Sequence, residues 1–93
     1  MIRSFRDKRT EALFLGRQGD RRWASFERVA RRKLLMVHAA ASLHDLKSPP
    51  NNKLEALKGD RKGQYAIRVN DQWRMCFRWQ EGRADNVEIV DYH

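Results

Sequence analysis

Cysteine is almost missing from this sequence: Cys76 stands alone among 93 residues, so no internal disulfide can form and an intracellular setting is expected. Histidine is nearly as scarce. His38, His44 and His93 are too widely spread to set out a zinc-ligand pattern, so neither a metal nor another cofactor is expected. There is no basic-then-apolar leader and no apolar run long enough to span a bilayer, which excludes a membrane span and predicts a cytoplasmic protein. Proline occurs only as the adjacent pair Pro49 and Pro50, and there are no repeats or low-complexity tracts.

Acidic residues are outnumbered. Twelve Asp and Glu face 20 Lys and Arg, for a net charge of +8, and the isoelectric point is near 10.4. Charge of this density attracts phosphate backbones through counterion release and also attracts an acidic protein surface. It does not choose between them. With 41% hydrophobic and 10% aromatic residues the chain can still fold despite being 34% charged. Its length allows a single domain over residues 1–93.

Along the chain, residues 2–4 are long enough only for an edge strand. Ser4-x-x-Asp7 predicts a helix N-cap with an acid in the first turn, and Gly16 a stop. Residues 17–22 make a polar connection. Over residues 25–43 the apolar positions Phe26, Val29, Ala30, Leu34, Val37, Ala40 and Ala41 recur at spacings near three and four, predicting the longest helix. The run Arg31-Arg32-Lys33 lies mostly off this stripe and reads as a solvated face, with contact to RNA as the sharper alternative. Ser48-Pro49-Pro50-Asn51-Asn52 cannot continue a helix, because prolines remove donors and restrict their predecessors.

The pattern then changes to period two. Tyr65, Ile67 and Val69 alternate with polar or small residues, as do Trp73, Met75, Phe77 and Trp79. A loop of Asn70, Asp71 and Gln72 would set Val69 opposite Trp73, Ile67 opposite Met75 and Tyr65 opposite Phe77, giving one continuous apolar face. Arg68, Arg74 and Arg78 then lie on the opposite, open face. Glu81-Gly82-Arg83 predicts a turn, and residues 86–92 a last strand with Val87 and Ile89 inward. The expected fold class is α+β, with two N-terminal helices packed on a twisted, mainly antiparallel sheet.

Chemistry concentrates in three places. Arg74 presents a planar fork of donors suited to a phosphate whose charge grows during attack. Lys58, Arg61 and Lys62 surround Gly59 and Gly63, where backbone and cations can approach neighbouring phosphates; an ordinary turn with solvated charges is the equal alternative. Asp91-Tyr92-His93 combines a group that exchanges protons near neutrality with a hydroxyl and an orienting carboxylate, against the plainer reading of an exposed chain end. His38 and His44 read as surface or packing residues, Cys76 as a small packing side chain, and Trp73, Phe77 and Trp79 as core.

The motif Leu57-Lys58-Gly59-Asp60-Arg61-x-Gly63, the run Tyr65-x-Ile67-Arg68-Val69-Asn70-x-Gln72-Trp73-Arg74-Met75-x-Phe77 and the closing Asp91-Tyr92-His93 together resemble the HigB branch of the RelE toxin superfamily. The resemblance begins at Met1-Ile2-Arg3-Ser4-Phe5 and spans nearly the whole chain. It implies a compact RelE-like domain acting as a ribosome-dependent endoribonuclease, which cuts messenger RNA in the ribosomal A site by 2′-hydroxyl attack and so inhibits translation and growth. The implied partners are the 70S ribosome with its mRNA and a HigA-like helix-turn-helix antitoxin, through which operator DNA is met only indirectly. Carried over position by position, Arg74, Asp91, Tyr92 and His93 match catalytic residues, Lys58 matches an RNA contact, and Gln72 takes a neighbouring polar position. Arg61 and Arg68 join the expected RNA-binding set. One departure stands out: Glu55 lies where some relatives carry histidine, which makes His93 the better proton-transfer group and Glu55 the second. Two readings from other classes are a non-catalytic RNA- or ribosome-binding module and a pure protein-interaction domain.

Overall fold

The computed structural model describes residues 1–91, and its first helix is set by a carboxylate. Asp7 accepts from the Thr10 backbone N–H at 2.7 Å and from its hydroxyl at 3.0 Å. Helix α1 therefore runs Lys8–Phe14 with Asp7 as its N-cap. The expected cap, Ser4, is used elsewhere: its hydroxyl accepts from Asn86 N at 2.9 Å and donates to Asp85 at 3.3 Å. Gly16 ends the helix as expected, with φ +81 just beyond the cap residue Leu15.

Asp20 starts a 3-10 turn over Arg21–Phe26 that buries Trp23, and helix α2 follows over Glu27–Ala39. The expected helix over 25–43 is thus shorter at both ends. At its C-terminus Asp45 accepts from the Ala41 and Ser42 N–H groups at 2.9 and 3.2 Å, capping a new 3-10 turn over Leu43–Lys47 and drawing the backbone out of the helical ladder. Ala30, Leu34 and Val37 are buried along α2, as the periodicity requires, whereas Ala41 is exposed.

Lys33 departs from expectation. It is not solvated: only 3% of its surface is exposed, and its ammonium donates to the Asn52 side-chain carbonyl. The Asn52 amide in turn donates to the Leu46 and Ser48 carbonyls at 3.1 and 3.3 Å, so α2 is tied to the segment that carries the prolines. Burial, with the nearby charges of Arg32 and Arg68, holds the Lys33 pKa below its ordinary value.

The sheet contains β1 (Glu55–Ala56), β2 (Gln64–Arg68), β3 (Trp73–Gln80) and β4 (Arg83–Asp91) in the order β1-β2-β3-β4, every pair antiparallel. Tyr65 pairs with Phe77 and Ile67 with Met75, as the odd loop predicts. Val69 N donates to Trp73 O at 3.0 Å and closes the hairpin. Strand β4 begins at Arg83 rather than at residue 86. Its register slips between the Cys76–Glu88 and Arg78–Asp85 pairs, and Asn86 within that slip has φ +53, so the strand bulges where its pattern breaks. The opening segment runs parallel to β4 through bridges at Ile2–Ala84 and Phe5–Val87.

The helices cover one face of the sheet. Leu13, Leu34, Val37, Ile67, Met75, Phe77 and Val87 have no exposed surface there, each large side chain contributing about 1.5–3 kcal/mol on burial. Trp73 packs with Trp23 and Phe26 at ring separations of 6.3 and 5.9 Å. The other face has a smaller apolar cluster of Leu57, Ala66 and Cys76, with Val90 against it. That second face carries the polar groups of interest.

Candidate active site

Alternation along β2 and β3 sets three rows across the open face. In the first, Arg68 lies directly opposite Arg74. Two guanidiniums so placed repel one another unless each is held by other groups. The hairpin loop holds both. Arg74 Nη1 donates to the Asn70 carbonyl at 2.7 Å and to its neighbour Trp73 O at 3.3 Å, while Arg68 pairs with the Asp71 carboxylate. The loop is itself fixed by Asn70, whose side-chain oxygen accepts from Gln72 N at 2.9 Å and Trp73 N at 2.8 Å.

The middle row runs Glu55, Ala66, Cys76, Glu88. Its centre is small and apolar and its ends are carboxylates. Burial pushes the Cys76 thiol up to about 11, with smaller, mutually opposing effects from the charges of Arg61, Glu88, Glu55 and Arg74. Glu55 is exposed at the edge strand, on the same side as Arg74. The packing role expected of Cys76 holds: its side chain is fully buried.

In the third row Gln64 faces Arg78. The basic loop folds over this row as a 3-10 turn, Gly59–Arg61, entered from Lys58. Lys58, Asp60 and Lys62 are exposed, but Arg61 is anchored: its Nη1 donates to Gln64 Oε1 and Glu88 Oε2, both at 3.0 Å. Arg6 reaches the same Glu88 oxygen at 3.7 Å. Gly63 has φ +92, and a Cβ there would lie 3.0 Å from Arg78 Nη1, so the glycine serves both the turn and the approach of that arginine.

Arg74, Arg68, Glu55 and Arg61 therefore share one face, with Lys58 at its rim. Gln72 and Asp91 are together elsewhere. Gln72 Nε2 donates to Asp91 Oδ2 at 2.9 Å, and Asp91 pairs in register with Trp73, which puts it on the helix side of the sheet. There its charge acts on Arg22, which stacks 5.2 Å from the Trp73 ring. Tyr92 and His93 lie outside the described residues. Sequence reading missed Arg6, Asp60, Gln64 and Glu88. Glu88 carried a usable signal, since a carboxylate inside Val87-Glu88-Ile89-Val90 must find cationic partners if the strand is covered.

On the helix side, Asp20 is clasped by Arg22 Nη2 at 2.8 Å and Arg9 Nη1 at 2.9 Å. The hydrogen bond from Arg22 keeps its carboxyl well below the usual carboxylate range, against the opposing effect of burial. It lines an open cavity of about 340 Å³ with Asp7, Lys8, Trp23 and Ile89 among its walls.

Helices on one face of a short antiparallel sheet, with clustered arginines on the other, define a RelE-like toxin fold. The crystal structure of YafQ from E. coli strain BL21(DE3) shares it, with a TM-score of 0.57 at 14% identity, over 98% of this chain and 91% of that one. The profile of the HigB-like toxin family, described as the RelE-like toxin of the type II toxin-antitoxin system HigB, matches residues 3–93, and the chain belongs to that family. Toxin HigB-1 of Vibrio cholerae serotype O1 is 39% identical over 93 residues, covering 96% of this chain and 95% of its own. Endoribonuclease HigB of Proteus vulgaris is 33% identical over 95 residues, across the whole of both chains. Membership of a toxin-antitoxin family implies an antitoxin partner. Among the described residues, no helix is long and apolar enough to cross a membrane.

Proposed function

We propose that this toxin is a ribosome-dependent endoribonuclease that cuts messenger RNA in the A site of the 70S ribosome, and that a HigA-like antitoxin neutralises it. The observation that carries this reading is Arg74: the residue is half-buried, its guanidinium is bonded to the Asn70 carbonyl at 2.7 Å, and the strand register puts it on the same face as Glu55 and the basic loop. The name of the Proteus vulgaris relative, Endoribonuclease HigB, supports it.

In the proposed reaction a ribose 2′-hydroxyl gives its proton to Glu55 or His93, and its oxygen bonds to the adjacent phosphorus. The 5′-oxygen leaves and takes up a proton from the other of these two groups in its protonated form or from water, yielding a 2′,3′-cyclic phosphate and a 5′-hydroxyl. Arg74 meets the charge gathering on the phosphoryl oxygens. Lys58 and Arg68 hold flanking phosphates, Arg61 meets the RNA as part of the wall formed by the basic loop, and Gln72 and Tyr92 position the strand. Asp91 orients the terminal residues from the hairpin end. The net charge of +8 steers the protein to ribosomal RNA.

A non-catalytic ribosome-binding module is the second reading. One observation favours it: among the described residues, both histidines belong to helical segments, His38 in α2 and His44 in the turn Leu43–Lys47. End-group analysis of RNA from a translation reaction separates the two. New 3′ ends bearing a 2′,3′-cyclic phosphate are expected of the ribonuclease; a message with no new ends would favour the binding module, and new ends carrying only 3′-hydroxyls would overturn the mechanism.

A further inference from the structure

Between the turn Gly59–Arg61 and the opening segment, the open face holds a cavity of about 330 Å³ lined by Arg6, Asp60, Arg61 and Gln64. It lies on the side that carries Arg74. Gln64 is two positions along β2 from Ala66, and Glu88, which anchors the wall, faces Cys76 across the sheet.

Its charge differs from that of the surrounding face. Arg61 and Arg6 converge on Glu88 at 3.0 and 3.7 Å, and Asp60 adds a second carboxylate at the rim. The formal charges of these four side chains cancel. A phosphate gains little from guanidiniums already facing a carboxylate and is repelled by Asp60. A neutral, flat group with donors and acceptors on its edge fits better, and Gln64 adds a carboxamide to the same wall. The volume is at the small end of ligand sites, which run from about 300 to 1,000 Å³.

We infer that this cavity is a nucleobase subsite. It takes a base with an exocyclic amino group (adenine, cytosine or guanine) from a nucleotide flanking the one cut. The Asp60 carboxylate accepts from that amino group. Gln64 and Arg6 donate to the ring acceptors, and Glu88 is the positioning residue that fixes both guanidiniums. Arg78, opposite Gln64 in the sheet and close to Gly63, stands at the side of the subsite to meet the connecting phosphate. It is four residues along β3 from Arg74, about 13 Å at ~3.3 Å per residue, which leaves room for each to meet its own phosphate. The subsite rests on the RNA-cleaving reading above.

The test is ribosome-dependent cutting of a message series in which each base flanking the cut is varied, by the wild-type chain and by Asp60→Asn. Asp60 is exposed, so this change leaves the core intact. Wild type should favour an amino-bearing base over uracil at one flanking position by at least about fivefold. Asp60→Asn, whose amide can donate to uracil O4, should bring the ratio near one. If wild type cuts in an Arg74-dependent way but the two proteins share one base spectrum, the subsite is wrong and the ribonuclease reading stands. If wild type cuts no message, both fall.

Discussion

The Arg74 guanidinium is bonded at 2.7 Å to the carbonyl of Asn70, four residues earlier in the same hairpin. The loop that closes β2 onto β3 thus also aims the arginine. Asn70 stabilises that loop through its side chain, which accepts from Gln72 N and Trp73 N at 2.9 and 2.8 Å. Asn70→Ala should therefore lower cleavage by up to about 10²-fold without changing any charge on the face. Its stability cost should be only about 1 kcal/mol. Cleavage rates and urea midpoints measured on one preparation check both; unchanged cleavage would separate the loop from Arg74.

Lys33 and Asn52 make a second testable pair. Lys33→Met leaves the Asn52 carbonyl oxygen without this buried donor, at a cost of about 1–3 kcal/mol. The pH dependence is more specific. Because burial lowers the Lys33 pKa from its ordinary 10.5, the unfolded chain binds more protons as pH rises toward that value. Wild-type stability should gain from this group there, and Lys33→Met should lose that gain. Urea titrations at neutral and alkaline pH measure the difference.

Asp20 predicts the opposite limb. Its folded carboxyl titrates below the ordinary 3.8, so its contribution is fully present above that pH and drains away as pH falls toward the folded value. Asp20→Asn keeps a side chain able to cap the turn at Arg22 N but loses the pairs with Arg9 and Arg22. Acid unfolding followed by circular dichroism should show a shallower decline for the variant below about pH 4.

Gly63→Ala should cost about 1–2 kcal/mol, because its φ of +92 disfavours a side chain and the added Cβ meets Arg78 Nη1 at 3.0 Å. Displacing Arg78 should also weaken RNA contact. Thermal melts and ribosome-dependent cutting read the two effects separately, and Arg78→Ala should reproduce only the second.

The hairpin was legible because its apolar residues alternate over two long runs and only an odd loop keeps Tyr65 and Phe77 on one side. That register alone placed Arg68 opposite Arg74. The start of α1 was less legible: Ser4 and Asp7 are both capping residue types, and the choice falls to Asp7 because Ser4 bonds to Asn86 in β4, 82 residues away. Strand β1 has two residues, too few to show a period. Lys33 looked solvated because its partner Asn52 is 19 residues distant and beyond the prolines. The face of Asp91 was legible from the alternation of β4, because the bulge near Asn86 precedes Val87 and Ile89 and leaves the count from them to Asp91 intact.

The most direct test is primer extension on a message translated in a cell-free system, comparing wild type with Arg74→Ala, with ribosomes present or withheld. Wild type should give discrete cuts only with ribosomes, and Arg74→Ala should reduce them by about 10²–10³-fold while remaining folded. Cuts that persist in folded Arg74→Ala, or a message left intact by wild type on ribosomes, would contradict the account.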